Sequence, residues 1–553
     1  MTIFQKQVCS FRFMSEFTKA LQNVATDIKD WHFVAYDQLH LALLPDTLPP
    51  SSLGLVFIET SWKANRLPYH KQKLALLLSN QRHFALEMQA LGHPIKYLFS
   101  DKDYAEVLSQ FSLQHGPLTA IVPAELTLRR TLEPLEATGI VTFQEHKGWL
   151  TTREEFLGSV GESPPWRMNK FYRHVRKSRG ILLDDDLNPL GGSWSLDEHN
   201  RLPWDGAVPL PEPPVFTPDT ITLEVIDMIQ EKFSHHPGQI NSTNLPSSKL
   251  QAESLWNWAK STVMHWFGPY EDAMTLEHKT LFHTTFSSLL NLNRLLPSTL
   301  LYDALELDIP LNSKEGFVRQ IIGWREFVRH IHEQTNGFEI EHESIPSRSG
   351  GGWEGNWAHS RPTPNLLEQS IGLPPAYWGE KSGMLCLDTA VSDVLETGYT
   401  HHVPRLMVLA NIGNLLGINP RELTDWFWAM FTDAYDWVVE PNVLAMGTYA
   451  VGGVMTTKPY ISGTPYIKKM GDYCGDCSLH FKKSCPLSDM YWNFLDENQS
   501  YFSNNHRMSM ALRASAKRTP DAKHRARAVT EYVREQLSKG LELEPVTLES
   551  LKS

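Results

Sequence analysis

Cys474-Gly-Asp-Cys477-Ser-Leu-His480-Phe-Lys-Lys-Ser-Cys485-Pro486 holds three of the chain's five cysteines within twelve residues. Two thiolates on a tight turn can share one soft metal, and a third nearly completes a tetrahedral set. Cys386 is the candidate fourth ligand from far upstream, and His480 is a nearer one. Cys9 is left over. A disulfide, a structural zinc and an iron–sulfur cluster all fit this pattern. Scarce cysteine and the lack of a secretory signal weigh against the disulfide. Spacing alone does not separate zinc from iron.

The rest of the chain bounds the problem. Its 553 residues exceed one core, so two or more domains of ~100–200 residues are expected. Composition is globular, 41% hydrophobic and 21% charged. The 17 Trp, 17 Tyr and 25 Phe suit a large helical core, and would also suit burial of a flat cofactor. A net charge of −12 argues against non-specific coating of nucleic acid but leaves room for a local basic groove. No run of ~20 apolar residues predicts a transmembrane helix. Residues 1–30 carry Lys6, Arg12 and Lys19 without the apolar core of a signal peptide. They read as an N-terminal extension of a cytoplasmic protein, with organelle targeting as the alternative.

Strands and helices alternate in the first third. Trp31–Leu39, Gly54–Thr60, Pro94–Phe99, Leu118–Pro123 and Gly139–Phe143 read as strands. Tyr69–Leu91, with Leu74, Leu77, Leu78, Phe84 and Met88 on one side, and residues 104–114 read as helices. This order predicts a parallel α/β sheet over 31–155. Ligands of such sheets sit beyond the carboxyl ends of strands, where Asp37, Gln38 and Glu59 fall. No G-x-G-x-x-G is present, so a standard dinucleotide fingerprint is lacking.

Residues 156–220 read as an interdomain linker, with a basic run from Arg167 to Arg179 and a proline-rich stretch from Pro209 to Pro218. Helical patterns dominate 221–540, and 541–553 form a tail. Phe282-His283-Thr284-Thr-Phe-Ser287-Ser-Leu-Leu-Asn291 could present donors to phosphate at a helix start, or merely cap it. Residues 338–365, with Trp353 and Trp357, read as a long loop at the edge of a site. Adjacent His401 and His402 would point ~100° apart on a helix, so at most one would face a ligand squarely.

Gly398-Tyr-Thr-His401-His402-Val-Pro-Arg405, Asp433-Ala-Tyr-Asp-Trp437-Val-Val-Glu-Pro-Asn442, Thr457-Lys458-Pro-Tyr460-Ile-Ser-Gly-Thr-Pro-Tyr466 and Asp472-Tyr-Cys474-Gly-Asp-Cys477 together closely resemble the photolyase/cryptochrome superfamily. More narrowly they resemble its bacterial iron–sulfur branch, which includes prokaryotic (6-4) photolyases. The likeness runs from about residue 32 to 540 and includes Tyr69-His70-Lys71-Gln-Lys73 and Arg82-His83-Phe84.

The resemblance implies an α/β N-terminal domain holding a lumazine-type antenna and an all-α C-terminal domain holding folded FAD. It implies that Cys386, Cys474, Cys477 and Cys485 ligate a [4Fe–4S] cluster. His283, Thr284, Ser287 and Asn291 match its flavin-phosphate stretch, and Arg405, Asp433 and Asn442 its other flavin-contacting segments. His401 and His402 match histidines beside the lesion, with His402 as the acid. Trp378 and Trp426 match electron-passing tryptophans, and Tyr460 and Tyr466 lie beside the lesion pocket. A divalent cation is a further candidate cofactor.

UV-damaged DNA is the implied partner, its phosphates met by the 167–179 run, Lys458, Lys468, Lys469 or the basic tail at Arg507, Arg513, Lys517 and Arg518. The expected state is a monomer. The implied activity is light-driven repair, most directly of (6-4) photoproducts. The alternatives are a blue-light photoreceptor without repair activity and a binding protein with a structural metal site. The chain departs from the family pattern at Phe427, where an oxidisable tyrosine is usual. It departs also at Tyr36, in place of glycine, and at Thr284 and Arg294, in place of serine and glycine.

Overall fold

The computed structural model describes residues 15–21, 28–340 and 362–552. Cys9, most of the 1–30 extension and most of the loop expected at 338–365 lie outside the described residues.

Five strands form one parallel sheet: β1 Asp30–Phe33, β2 Leu53–Thr60, β3 Ile95–Ser100, β4 Leu118–Ile121 and β5 Val141–Gln144. Their order is β3-β2-β1-β4-β5, so the chain reverses direction across the sheet beside β1. β2 is an almost unbroken apolar run buried on both faces, as a central parallel strand requires. Gly54 pairs with Trp31, and a Cβ there would meet the Trp31 ring at 2.4 Å, so the indole occupies the space a side chain would take. β1 is shorter than the sequence suggests. It ends at Phe33, and the following residues turn towards the helical half, where Leu39 N–H donates to Leu292 O at 3.0 Å.

Helix Lys71–Ala90 joins the two halves. Its apolar side packs as the periodicity predicts, but Gln72, Lys73, Asn80 and Gln81 are buried too. Three of them bond across the boundary. Lys73 Nζ donates to Trp428 O and Ala434 O, Gln72 Nε2 to Asn244 O, and Asn80 Nδ2 to Pro246 O, at 2.5–2.9 Å. These polar side chains satisfy carbonyls that would otherwise be stranded in the interior. Arg294, one of the departures from the family pattern, is also a boundary residue. It forms a two-pronged ion pair with Glu87 at 2.7 and 2.9 Å.

Residues 168–179 form a helix whose Phe171, Tyr172 and Val175 enter the main core. The basic run divides. Arg176 is buried and donates to Ile181 O, Leu182 O and Trp194 O. Arg179 pairs with Glu155, and Arg167 bonds Gly453 O. Lys170, Arg173 and Lys177 stay exposed at helical spacing.

The second half is helical, with widened π turns at Arg319–Arg325, Pro404–Ala410 and Glu440–Gly447. All three border the cavity described next. Such turns cost regular hydrogen bonding and recur at functional sites. Among the described residues, no helix is long and apolar enough to cross a membrane.

Candidate functional site

A cavity of about 270 Å³ opens between these π turns and the short helix Ser287–Asn291. His283, Thr284, Ser287, Asn291, Arg405, Asp433 and Asn442 all line it. Asp433 is its organising group. Arg405 grips the carboxylate with two bonds of 2.9 and 3.0 Å, Ser287 Oγ donates to it at 2.6 Å, and Asn291 Nδ2 donates to its backbone carbonyl. Burial alone would raise the Asp433 carboxyl; the Arg405 charge and these bonds outweigh it and hold it below the usual carboxylate range. Asn442 donates to Val438 O, one turn earlier in its own helix.

Arg325 also lines the cavity and packs against the Trp149 and Trp437 rings, 4.3 and 5.3 Å from their centroids. Burial lowers this guanidinium to about 10 despite Glu326 beside it, and its Nε has no partner. A buried cation with an open donor, aromatic walls and a row of amide and hydroxyl groups suits a phosphate-bearing aromatic cofactor.

His401 is buried with its ring flat on His283. Burial, then the neighbouring positive groups, hold both well below the ordinary histidine range, so both are neutral. His402 differs. Its side chain is 51% exposed, and Nε2 lies 3.4 Å from Asp272 Oδ1. One ring nitrogen from each histidine lies within 4.8 Å of the others. The flat stacking of His283 on His401 sets their in-plane lone pairs side by side rather than aimed at one ion.

Tyr460 and Tyr466 are half-buried and do not line this cavity. Burial and then the Asp272 charge raise the Tyr466 hydroxyl. Trp426 is fully buried, donating to Tyr377 O at 3.0 Å, while Trp378 reaches the surface. Phe427 sits 5.2 Å from Trp426 and stacks on Phe431 at 5.1 Å, and Phe431 lies against Arg405 at 4.2 Å.

A second cavity, of about 540 Å³, lies beyond the carboxyl end of β2. Glu59 borders it but is held by Arg82 through two bonds and by Tyr97 OH. Asp37 and Gln38 do not line it, contrary to the expectation from strand ends. Because β1 stops early, the turn carries Asp37 to the helical half, where Asn293 donates to its carbonyl at 2.6 Å. Tyr36 lines the cavity and stacks parallel to Tyr435.

Cys386, Cys474, Cys477 and Cys485 converge on a third, small cavity of about 20 Å³. Cys386 comes from helix Leu385–Thr397, Cys474 from Tyr473–Asp476, and the other two from loops. His480 does not line this cavity; its Nδ1 accepts from Lys482 N–H in a local turn. Burial and the neighbouring sulfurs push the Cys386 thiol well up, and burial takes Cys474 to about 11. Four sulfurs at such close quarters suit a strongly cationic centre.

The curated (6-4) photolyase of Agrobacterium fabrum is 30% identical over 521 residues, covering 88% of this chain and 97% of that protein. The chain belongs to the photolyase/cryptochrome superfamily. Within this superfamily, the model of deoxyribodipyrimidine photo-lyase-related proteins matches residues 32–245. An uncharacterized protein of Acanthamoeba polyphaga mimivirus is 35% identical over 96 residues, 17% of this chain and 75% of that protein. The photolyase/cryptochrome fold is matched by a class III photolyase structure from Agrobacterium tumefaciens, at 14% identity, TM-score 0.53, and coverage of 92% of this chain and 98% of that one. It is matched also by the Synechocystis cryptochrome, at 13% identity, TM-score 0.51, and coverage of 90% and 99%.

The sequence of this photolyase/cryptochrome chain suggested no site role for several residues that its structure brings to the site. Arg325, Gln320 and Trp437 line the first cavity, Lys63 and Lys73 the second, and Asp272 stands beside His402. Trp324-Arg325-Glu326 offered a signal, because charge next to Trp in an apolar helix needs a partner inside. Asp272 offered none.

Proposed function

We propose that the protein is a DNA-repair lyase that uses blue light to reverse UV lesions, with (6-4) photoproducts as its substrate. The observation that carries this reading is His402, half-exposed at a cavity whose interior holds the Arg405–Asp433 pair. FAD would be held by His283, Thr284, Ser287, Asn291, Arg405, Asp433 and Asn442, and when bound it supplies the electron after absorbing light.

The remaining steps belong to the chain. A lesion within a duplex cannot reach the cavity, so the damaged nucleotides must leave the stack. His402, in contact with both water and Asp272, can take up and give a proton at a ring nitrogen. The buried His283 and His401 stay neutral; His283 walls the cavity and His401 backs it. Tyr460 and Tyr466 flank the position of the flipped bases. Trp378 at the surface and Trp426 inside offer a route for electrons inward.

Four converging thiols from three segments support a [4Fe–4S] cluster on Cys386, Cys474, Cys477 and Cys485, stapling the helical half. The second cavity, with its tyrosines and lysines, supports an antenna chromophore of the lumazine type. We assign residues 31–155 to the antenna domain, 156–220 to the connection and 221–540 to the cofactor domain of a monomer.

Single-stranded and duplex oligonucleotides carrying one defined (6-4) photoproduct test the reading. The reduced protein should remove the lesion in blue light and not in the dark. Loss of neither that lesion nor a cyclobutane dimer, with flavin bound, would leave a photoreceptor instead.

A further inference from the structure

A cavity of about 710 Å³ lies beside Cys485, enclosed by helix Thr464–Met470, the Phe481–Cys485 turn and the C-terminal helix Pro545–Lys552. Lys468, Lys469, Lys482, Arg525 and Lys552 line it against a single carboxylate, Asp489. Lys552 takes up that carboxylate at 2.8 Å and also donates to Cys485 O at 2.6 Å. The other four cations have no carboxylate partner among the described residues. In a chain of net charge −12, four unpaired cations around one hollow form a local reversal of the field.

The hollow is also ordered. Lys468 Nζ sits 3.3 Å from the Phe481 ring centroid and Lys482 Nζ 5.6 Å from the same ring, so one aromatic face gathers two ammonium groups. Ser488 Oγ and Thr464 Oγ1 bond each other at 3.1 Å on its floor. Helix Thr464–Met470 sorts its residues by face. Thr464 and Ile467 are buried towards the cysteines, while Pro465, Lys468 and Lys469 are exposed. Tyr466, on the same helix, feels the charges of Asp272 and Arg201, and Asp272 is the partner of His402. One helical turn, about 5 Å, separates the Tyr466 position from that of Lys469.

We propose that this hollow binds the phosphodiester backbone of the DNA strand next to the lesion. This rests on the repair reading above. A strand whose damaged nucleotide lies beside His402 and Tyr466 passes its adjoining phosphates over Lys468 and Lys469, with the equally exposed Lys482 and Arg525 lining the same hollow. The contact positions the strand without reading its sequence.

The competing role for these cations is to offset thiolate charge. Lys468 and Lys552 do bear on Cys474 and Cys485. The triple variant Lys469→Gln/Lys482→Gln/Arg525→Gln separates the two roles.

The holoprotein is titrated in the dark with a fluorescein-labelled, undamaged single strand, followed by anisotropy over a range of salt. The variant should bind at least ~10-fold more weakly, and the slope of log K against log salt should fall by about 2, ~0.7 for each lost contact. Flavin absorbance, iron content and Tm should be unchanged. Unchanged affinity and slope overturn the proposal, the more so if iron is lost, because the cations then serve the cysteines. Inorganic phosphate or a nucleoside triphosphate displacing the strand at micromolar concentration overturns it too, because the site is then one for a small anion. Dark binding of undamaged DNA does not depend on photochemistry. A wild-type protein that binds strongly and repairs nothing would therefore remove the repair reading and leave this site standing.

Discussion

His401 lies flat against His283, their ring centroids 4.2 Å apart and their planes 14° from parallel. Two charged imidazoles would not stack this way in a buried wall. Their neutrality leaves His402, edge-on to His283 at 5.4 Å, as the proton carrier of the three. His402→Ala should therefore cut light-dependent removal of the (6-4) lesion by ~10²-fold or more, with flavin content unchanged. His401→Ala should instead lower flavin retention and Tm, because it removes the ring that supports His283 from behind. Absorbance of the purified variants and lesion loss by chromatography distinguish the two patterns.

The cysteine set yields a metal prediction. Of the four proposed ligands Cys386 is the most remote in sequence, and it is buried, so Cys386→Ser should abolish iron incorporation and the broad absorbance near ~400 nm expected of a four-thiolate cluster. His480→Ala should leave both intact, since His480 does not line that cavity. Elemental analysis of the wild type decides between iron and zinc; stoichiometric zinc without iron would reject the cluster.

Phe427 and Phe431 stack in succession between Trp426 and Arg405 at the cavity. Phe427→Tyr should speed photoreduction of oxidised flavin and leave repair by chemically reduced protein unchanged. The new hydroxyl enters an apolar stack 5.1 Å from Phe431, so the variant should also lose about 1–3 kcal/mol of stability. Equal photoreduction rates in the two proteins would show that electrons bypass this position.

Asp37 provides a pH prediction. Burial pushes its carboxyl up from 3.8 to about 7, and Oδ1 has no partner. Between those values the folded protein keeps a proton that the unfolded chain has released. Stability from this group is therefore full below about pH 4 and lost as pH rises to about 7. The maximum slope is about −1.4 kcal/mol per pH unit. Asp37→Asn should remove that decline. Urea unfolding of both proteins at several pH values across the interval, compared as a difference, isolates the contribution from other titrating groups.

Local sequence was a sound guide wherever a segment's role depended on its own residues. The apolar runs at 53–60 and 118–121 form strands because their side chains must be buried whatever the rest of the chain does. The alternation of strand and helix then leaves a parallel sheet as the arrangement that buries them. The clustered cysteines do converge with Cys386 on one small cavity, and His283, Ser287, Asn291, Arg405, Asp433 and Asn442 line another. Helix Lys71–Ala90 was legible as a helix but not as a boundary. Its buried Lys73 and Gln72 are explained only by carbonyls of residues 241–244 and 428–434.

The sequence by itself determined the elements, the order in which they build a sheet half and a helical half, and the residue types able to hold flavin, metal and proton. Tertiary structure decided which of two adjacent histidines faces water, why Asp37 and Gln38 leave the second cavity, and that Asp272 stands beside His402. It also chose Cys386 over His480 at the sulfur cavity. The physical reason is common to these cases. Burial and pairing are set by partners hundreds of residues away, and the free energy of a polar or ionisable side chain depends on those partners far more than on its neighbours in the chain.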